Sequence, residues 1–194
     1  MFNGLPIVFL GVNNQENALK AYNFPQITGV IEQVSIKETI DIGLTLQDET
    51  QNIYVIVDST TTGQSDLARL KNLISSYPND NFRIFDASEM TFDQLALKLK
   101  GISSSDLLLF LSLYRDKTGD SFLFSESVDF VLENSNVPII HIYKYGIGEG
   151  MLGGHVVDHY QQGYLAGTLV KDYFNRGSLE GFPVIEKKSK HLLF

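Results

Sequence analysis

The chain has 194 residues, of which 43% are hydrophobic and 20% are charged, and it carries a formal net charge of −8 at pH 7. This composition is that of a globular domain with a sizeable core, and the negative charge without strong Lys and Arg clusters argues against a nucleic-acid partner. The absence of cysteine excludes disulfides, thiol catalysis and thiolate metal sites. No run approaches the roughly 18–20 apolar residues of a membrane-spanning helix.

Short apolar runs alternate with amphipathic helical patterns along the chain. The runs are rich in β-branched residues, as buried strands are, and the helical segments have apolar residues at three- and four-residue spacing. In chain order, the predicted elements are strands at 6–12 and 27–32, a helix at 35–47, a strand at 53–57, a helix at 64–77, a strand at 82–86, a helix at 91–101, a strand at 107–113, a helix at 124–135, strands at 139–143 and 155–157, and a helix at 160–176. This alternation predicts a doubly wound, mostly parallel α/β sheet with right-handed crossovers.

Local signals mark the ends of several predicted helices. Ser35 with Glu38, and Thr91 with the glutamine three residues later, have the spacing of an N-terminal capping box. Gly177 follows the last helix and predicts its C-terminal end. The run at 107–113 is the longest apolar strand, and we therefore expect it in the centre of the sheet.

Polar and aromatic side chains stand directly after four of the predicted strands. In an open α/β sheet the carboxyl ends of the strands form the edge at which ligands bind, and helix N-termini with unpaired N–H groups converge there. We therefore predict that residues of these turns bind a ligand. They are Asn13, Asn14, Asp58, Ser59, Thr60, Thr61, Tyr114, Arg115, Asp116, Tyr143 and Tyr145.

One of these turns is rich in hydroxyls, and two others bring charge and aromatic rings. The hydroxyls of Ser59 to Thr62 can bind a carboxylate, a carbonyl or a sugar, or can simply cap the following helix. The Arg115 guanidinium can hold a ligand carboxylate while Asp116 takes an amine, although an internal salt bridge has the same sequence signature. Tyr143 and Tyr145 can stack on a planar ligand or line the sheet edge.

The sequence lacks the motifs of the common catalytic and phosphate-binding sites. The turn at 58–63 has no P-loop lysine, no G-x-S-x-G elbow is present, and the segment 6–14 lacks the acidic pair that a phospho-accepting Asp58 would need. The glycines of 146–154 are not a dinucleotide fingerprint, because a further predicted strand precedes the next helix. We expect no enzyme activity and no cofactor.

His155 and His159 are four residues apart, the spacing at which two histidines on one helix can bind a metal ion. The pair spans a predicted strand-to-helix turn, so the two rings need not face the same way. A capping or ordinary surface role is therefore favoured over a metal site.

Several motifs, in their order and spacing, resemble those of one known family over nearly the whole chain. They are Pro6-Ile7-Val8-Phe9 with Asn13-Asn14, Ile27-Thr28-Gly29-Val30, Val57-Asp58 with Thr62-Gly63, Arg115-Asp116 with Gly119, Val137-Pro138, and Gly153-Gly154 leading to Gln162-Gly163. The family is the ABC-transporter substrate-binding-protein-like group with the type 1 periplasmic-binding fold. More narrowly, the chain is similar to the branch used as extracytoplasmic sensor domains of bacterial histidine kinases.

The resemblance implies two α/β lobes that close on a small molecule held at the hinge. It also implies a fragment that lacks most of the N-terminal lobe. Residues 1–34 would be the last strands of that lobe and the hinge crossing, 35–180 the C-terminal lobe, and 181–194 a segment that returns toward the missing lobe. The strand at 6–12 would then lack sheet neighbours and would pair with a second copy through its exposed edge, which makes a homodimer.

The function that the resemblance implies is signal transduction by ligand binding. We expect an extracytoplasmic domain, periplasmic or at the cell surface, that binds a small, amino-acid-like ligand and is joined to a membrane only through flanking segments. The substrate-binding component of an ABC importer shares this fold and is the alternative. An alternative of another class is a flavodoxin-like or receiver-like domain or a small enzyme, which would need a flavin, phosphate or catalytic constellation.

Overall fold

The computed structural model describes residues 4–186 and 190–194. It contains two compact units, and each is described by itself. Unit 1 consists of the chain up to Val34 together with the segment from Val157 to His191, and unit 2 consists of Ser35–Val156 and Leu192–Phe194. No helix of the described residues has both the length and the hydropathy that a membrane span requires.

Strands and helices alternate through most of the chain, as the hydrophobic pattern predicts. The strands are β1 (Ile7–Val12), β2 (Ile27–Ile31), β3 (Asn52–Val57), β4 (Asn81–Asp86), β5 (Leu107–Phe110), β6 (Ile139–His141), β7 (Gly154–Val157) and β8 (Lys190–Leu193). The helices are α1 (Gln15–Lys20), α2 (Ile36–Leu46), α3 (Thr61–Leu73), α4 (Phe92–Lys100), α5 (Phe124–Asn134) and α6 (His159–Arg176).

Unit 2 is built on a four-stranded sheet with the order β4-β3-β5-β6. Each neighbouring pair in this sheet is parallel. The carboxyl ends of the four strands therefore lie at one edge, which is the edge that the sequence predicts as the ligand-binding face. The strands β7 and β8 form a separate two-stranded sheet.

Helices cover both faces of the unit 2 sheet, and the side chains of β5 show how. Successive strand residues point to opposite faces, so Leu108 and Phe110 pack in one core cluster with apolar residues of α4 and α5. Leu107 points the other way, toward α2. Gly43 of α2 allows this close approach, because a Cβ added at that position would stand only 3.1 Å from Leu107 Cδ1. A strand that is buried on both faces is uniformly apolar, which explains the continuous run of leucines.

Unit 1 has a two-stranded parallel sheet of β1 and β2, and β2 forms a further parallel bridge to Ile185. Phe9 packs with Ala18 of α1 on one face of this sheet, and Val8 packs with Leu169 of α6 on the other. Among the described residues no strand pairs with the second edge of β1. The predicted homodimer through this edge stays a prediction.

Several local predictions are confirmed, and one is wrong. Thr91 and Gln94 form the predicted capping box, and Gly177 ends α6 in the left-handed conformation with φ of 73°. The Ser35 hydroxyl makes no capping hydrogen bond, because the residue has a ψ of 54° instead of the extended backbone of an N-cap. The strand predicted over 107–113 is central, between β3 and β6, but its ladder ends at Phe110.

The division into units differs from the predicted domain boundaries after Val156. The sequence analysis groups 157–180 with the C-terminal lobe, whereas this segment belongs to unit 1. The physical reason is the apolar face of α6, on which Ala166 and Leu169 pack with Val30 of β2. A helix packs on whichever sheet its apolar stripe matches, and sequence order alone does not specify that sheet.

We expect Gly29→Ala to destabilise unit 1 by about 1–3 kcal/mol, because overpacking a well-packed site forces backbone and side-chain shifts. A Cβ at Gly29 would overlap the Phe9 carbonyl oxygen and lie 2.5 Å from Phe9 Cγ. Urea unfolding followed by circular dichroism measures the change. Gly167→Ala is the control: it lies within α6 with nothing within 4 Å of its added Cβ, and should stabilise by about 0.5–1 kcal/mol. Equal stability of Gly29→Ala and wild type would contradict the close pairing of β1 and β2.

Candidate functional site

The candidate site lies at the carboxyl edge of the unit 2 sheet, where the turns after β3, β5 and β6 meet. In the sheet register Ile56 pairs with Phe110, and Phe110 pairs with His141, so the three strands end level with one another. Side chains that follow them in sequence are therefore brought together although they are far apart along the chain.

The Asp58 carboxylate joins the turn after β3 to the turn after β5. Its Oδ1 accepts hydrogen bonds from Thr60 N (3.1 Å), Thr60 Oγ1 (2.6 Å) and Ser112 Oγ (2.8 Å). Its Oδ2 accepts from Tyr114 N at 2.6 Å. Asp58 is fully buried, and a buried carboxylate is stable only when hydrogen bonds replace the water it has lost. Asp58 thus orders both turns.

Gly63 stands where α3 begins, directly against this carboxylate. A Cβ at Gly63 would overlap Ser112 Oγ and lie 2.7 Å from Asp58 Oδ1. Its N–H donates to Thr60 Oγ1 at 3.1 Å, so Thr60 caps α3 while its own hydroxyl donates to Asp58. Only glycine fits this close approach.

The Asp116 carboxylate orders the turn that follows. Its Oδ1 accepts from the backbone N–H groups of Thr118, Gly119 and Asp120 and from the Thr118 hydroxyl, and its Oδ2 accepts from Phe92 N at the start of α4. Burial works to raise the pKa of Asp116, and the hydrogen bonds outweigh it, so that the pKa lies below its usual value. The Asp116 carboxylate is therefore ionised at neutral pH, and the hydrogen bonds of its own loop stabilise its charge.

A shallow depression of about 260 Å³ lies beside these two loops. It is lined by Ser59, Thr60, Tyr114, Arg115, Ser121 and Phe122. Arg115 is exposed, and no carboxylate of the described residues lies within ion-pair distance of its guanidinium. The predicted alternative of an internal Arg115–Asp116 salt bridge is therefore not what the structure shows. Burial, with Asp58 and Tyr145 nearby, raises the pKa of Tyr114, so its hydroxyl is a donor at neutral pH.

An aromatic cluster follows the end of β6. The ring of His141 lies 5.0 Å from Phe110, 5.5 Å from Tyr143 and 6.5 Å from Phe124, and the Tyr145 ring lies 4.8 Å from Phe124. His141 is fully buried, and burial lowers its pKa to about 4 although the hydrogen bond to the Phe110 carbonyl opposes this. The imidazole is therefore neutral at pH 7.

Four of the predicted site residues line the depression: Ser59, Thr60, Tyr114 and Arg115. Thr61 is exposed at the first position of α3 and does not line it. Asp58 and Asp116 are buried behind the site and bind their own loops. They support the site and do not face into the depression.

Tyr143 and Tyr145, which are also predicted site residues, belong to the aromatic cluster. The Tyr143 hydroxyl donates to Asp66 Oδ2 at 3.2 Å, and Asp66 also pairs with Arg69. Tyr145 packs on Phe124 and is 55% exposed, so its ring is closer to solvent than the other rings of the cluster.

Asn13 and Asn14 belong to unit 1 and follow β1. The Asn14 side chain caps α1 by accepting a hydrogen bond from Asn17 N at 3.0 Å. In the same unit His159 Nε2 lies 3.4 Å from Glu32 Oε2, and the bond to this carboxylate raises the pKa of His159. In the part of the chain that the structure describes, no group of three or more His, Asp or Glu residues is placed to hold a metal ion.

Sequence reasoning missed several residues of this site. Ser112 and His141 are lone polar residues inside runs that predict buried strands, and that interruption is the signal that could have found them. Ser121, Phe122 and Phe124 carry no such signal, because their roles depend on where the loop after β5 folds back.

We expect Asp58→Asn to cost about 3 kcal/mol of stability and to loosen the turn at Tyr114. The amide cannot accept all four hydrogen bonds as an anion does, and bonds to a charged acceptor are worth about 1.5–3 kcal/mol each. Urea unfolding and amide exchange at Tyr114 measure the two effects.

Asp86→Asn is the matched control for Asp58→Asn. Asp86 makes the same two local bonds, to Ser88 N at 2.9 Å and Ser88 Oγ at 2.6 Å, and among the described residues it has no side-chain hydrogen bond to a distant segment. Its substitution should cost less than about 1 kcal/mol. Equal losses for the two variants would show that the bonds to Ser112 and Tyr114 contribute nothing.

We expect His141 to make the protein acid-sensitive. Its folded-state pKa of about 4 lies below the ordinary value of 6.5. As the pH falls from about 6.5 to about 4, the unfolded chain binds a proton that the folded chain does not, and about 3 kcal/mol of stability is lost. Urea unfolding across this pH range should give a shallower slope for His141→Phe than for wild type. Tyr143→Phe keeps the imidazole and should keep the wild-type slope, and a wild-type slope in His141→Phe would refute the assignment.

A scan against protein-family models and a search of the curated proteins gave no match. Solved structures do match. A conserved domain protein from Vibrio cholerae superposes with a TM-score of 0.70 at 14% identity, covering 96% of this chain and 62% of its own. The ABC domain of Streptococcus pneumonia in complex with L-Trp gives a TM-score of 0.70 at 13% identity, with 96% and 63% covered.

A third structure is a ligand-free, open substrate binding protein with adhesive properties from Clostridium difficile. It gives a TM-score of 0.62 at 15% identity, covering 86% of this chain and 55% of its own. The chain thus spans about three fifths of the length of these structures. At such low identity the likeness shows the fold, and the chain has the doubly wound α/β fold of periplasmic-binding-like proteins.

Proposed function

We propose that the chain recognises a small molecule that bears a carboxylate, at the depression on the carboxyl edge of the unit 2 sheet, and that it does so without catalysing a reaction. The observation that carries this proposal is Arg115. It is an exposed arginine without an ion-pair partner among the described residues, and it lines a depression at the edge where α/β sheets bind ligands. An arginine fork matches a carboxylate with two parallel hydrogen bonds.

The other lining residues supply what a small polar ligand needs. Ser59 and Ser121 are exposed hydroxyl residues that line the same depression as Arg115. Tyr114 keeps its proton and can donate a hydrogen bond. Because Asp58 fixes the backbone on both sides of the depression, these donors are held in place before a ligand arrives.

An amino-acid-like ligand is the class that we propose. One of the matching structures holds L-Trp, and another is described as a substrate binding protein. Both descriptions concern binding, which supports a non-enzymatic role for this chain as well. We further propose an extracytoplasmic location, because periplasmic-binding-like proteins act outside the cytoplasm.

We propose that ligand binding serves signalling, and that the chain is an extracytoplasmic sensor domain of a bacterial signal-transduction protein, such as a histidine kinase. The alternative is the substrate-binding component of an ABC importer, which the descriptions of the matching structures favour. The parent open reading frame discriminates between them. Flanking membrane spans and a kinase region support the sensor, whereas a lone secretion or lipoprotein signal supports the importer.

We expect Arg115→Gln to weaken carboxylate binding by about 10- to 100-fold, because a charge-assisted hydrogen bond is worth about 1.5–3 kcal/mol. A thermal-shift screen of the L-amino acids on the wild-type chain identifies the probe, and calorimetry then measures its affinity for each variant. Arg83→Gln is the control, since Arg83 lies on β4 and its guanidinium donates to Asn52.

The control should bind the probe as wild type does. Unchanged affinity in Arg115→Gln would remove this residue from the site. The absence of any stabilising amino acid in the screen would count against the proposed ligand class.

A further inference from the structure

The helix α6 carries aromatic side chains on the face that points away from its sheet. On the inner face Ala166 and Leu169 pack with Val30 of β2. On the outer face Tyr160 is 82% exposed and Phe174 is 78% exposed. Single apolar residues are common at protein surfaces, whereas an aligned row of them is typical of a surface that a partner covers.

The exposed row has the spacing of a contact between two helices. Tyr160, Gly167 and Phe174 are seven residues apart, and Gly163 and Val170 each follow by three residues. These are the a and d positions of a heptad, which lie on one face of an α-helix. All five residues are exposed, and we call them the α6 seam.

The two glycines leave open space in the middle of the seam. Apart from the backbone of α6, no described atom lies within 4 Å of a Cβ added at Gly163 or at Gly167. Glycine within a helix costs about 0.5–1 kcal/mol relative to alanine, so two of them on an exposed face weaken the helix. Because the side chains at a contact set the distance between two helices, glycines let a second helix approach closely.

The seam is symmetric about Gly167. Tyr160 lies seven residues before it and Phe174 seven residues after, while Tyr164 and Val170 lie three residues before and after. A twofold axis at Gly167 would therefore place each large residue of an antiparallel pair of α6 helices against a large residue of the other copy. Such a self-complementary patch is what a twofold interface between identical subunits requires.

The position of Lys171 favours the antiparallel arrangement. In that pairing it faces Gly163 of the second copy, beside the rings of Tyr160 and Tyr164, where a cation–π contact can form. The two copies of Lys171 are then about 12 Å apart along the helix axis, which exceeds the screening length at physiological salt. A parallel pairing would set the two lysines against each other.

The area of the seam is sufficient for a dimer. Its rings, with that of Tyr164, are 63–82% exposed. An aromatic side chain buries about 150–250 Å², so the six rings of two copies together with Val170 supply on the order of 1,000 Å². Specific interfaces between proteins begin at about this size.

We propose that α6 is a dimerisation helix: two copies of the chain pair antiparallel through the α6 seam, with Tyr160 of each copy against Phe174 of the other. The surface lies in unit 1 and shares no residue with the depression of unit 2, so this inference does not depend on the proposed function. It is also a different surface from the edge of β1.

Sedimentation equilibrium tests the dimer on the wild-type chain and on two single variants. Wild type should associate at micromolar concentration, since interfaces of this size are weak. Tyr160→Glu and Phe174→Lys should each raise the dimer dissociation constant about tenfold or more, because each removes a ring contact twice per dimer. Leu97→Glu is the matched control: Leu97 is 73% exposed on α4 of unit 2, and its substitution should leave the constant unchanged.

An equimolar mixture of Tyr160→Glu and Phe174→Lys tests the antiparallel register. Their heterodimer keeps one ring pair and sets the new carboxylate against the new ammonium, so it should form more tightly than either variant alone. A second measurement uses the absence of cysteine from the chain. Gly167→Cys should give a disulfide-linked dimer in a glutathione buffer, because a twofold axis at this residue brings the two thiols together, whereas Leu97→Cys should not.

Three results would overturn the proposal. A wild-type chain that stays monomeric would show that the seam is covered by something other than a second copy. A dimer whose dissociation constant is unchanged in both α6 variants would assign the interface to another face, such as the edge of β1. A mixture that associates no better than its components, with no disulfide in Gly167→Cys, would exclude the antiparallel pairing. Circular dichroism verifies that each variant is folded, and the disulfide test still decides if either charged variant is not.

Discussion

The site depends on one buried anion. The Asp58 carboxylate accepts four hydrogen bonds from two turns that follow different strands, and two of its donors are 54 and 56 residues away in the sequence. Because an unpaired buried carboxylate would cost several kcal/mol, the two turns cannot separate without a large loss of stability. The cap of α3 by Thr60 and the backbone of Tyr114 are both held by this constraint.

A second buried carboxylate repeats the arrangement one loop further. Asp116 holds the turn through Asp120 and ties it to the start of α4. Both aspartates accept hydrogen bonds inside the protein, whereas Arg115, next to Asp116 in the sequence, is exposed and lines the depression. A chain of net negative charge thus presents a positive group at the depression that we propose binds a ligand carboxylate.

The fold follows from local patterns to a large extent. Apolar runs with β-branched residues form the strands, the capping box of Thr91 begins α4, and Gly177 ends α6. These features are predictable because hydrophobic periodicity and helix caps depend on only a few neighbouring residues. One local prediction failed: Ser35 has the spacing of a cap but the wrong backbone. Local patterns also do not specify which sheet a helix packs on, and α6 packs on β1 and β2 in unit 1.

The sequence by itself determined the α/β alternation and the positions of polar turns after strands, and hence that Arg115 and Tyr114 stand at a sheet edge. Only the tertiary structure decided which polar groups line the depression and which are turned inward. Asp58 and Asp116 look like ligand residues in sequence, yet their hydrogen bonds turn them inward, and His141 looks like part of a strand, yet it holds an unpaired acceptor. The physical reason is that burial and hydrogen-bond partners come from residues far apart in the chain, which local patterns do not encode.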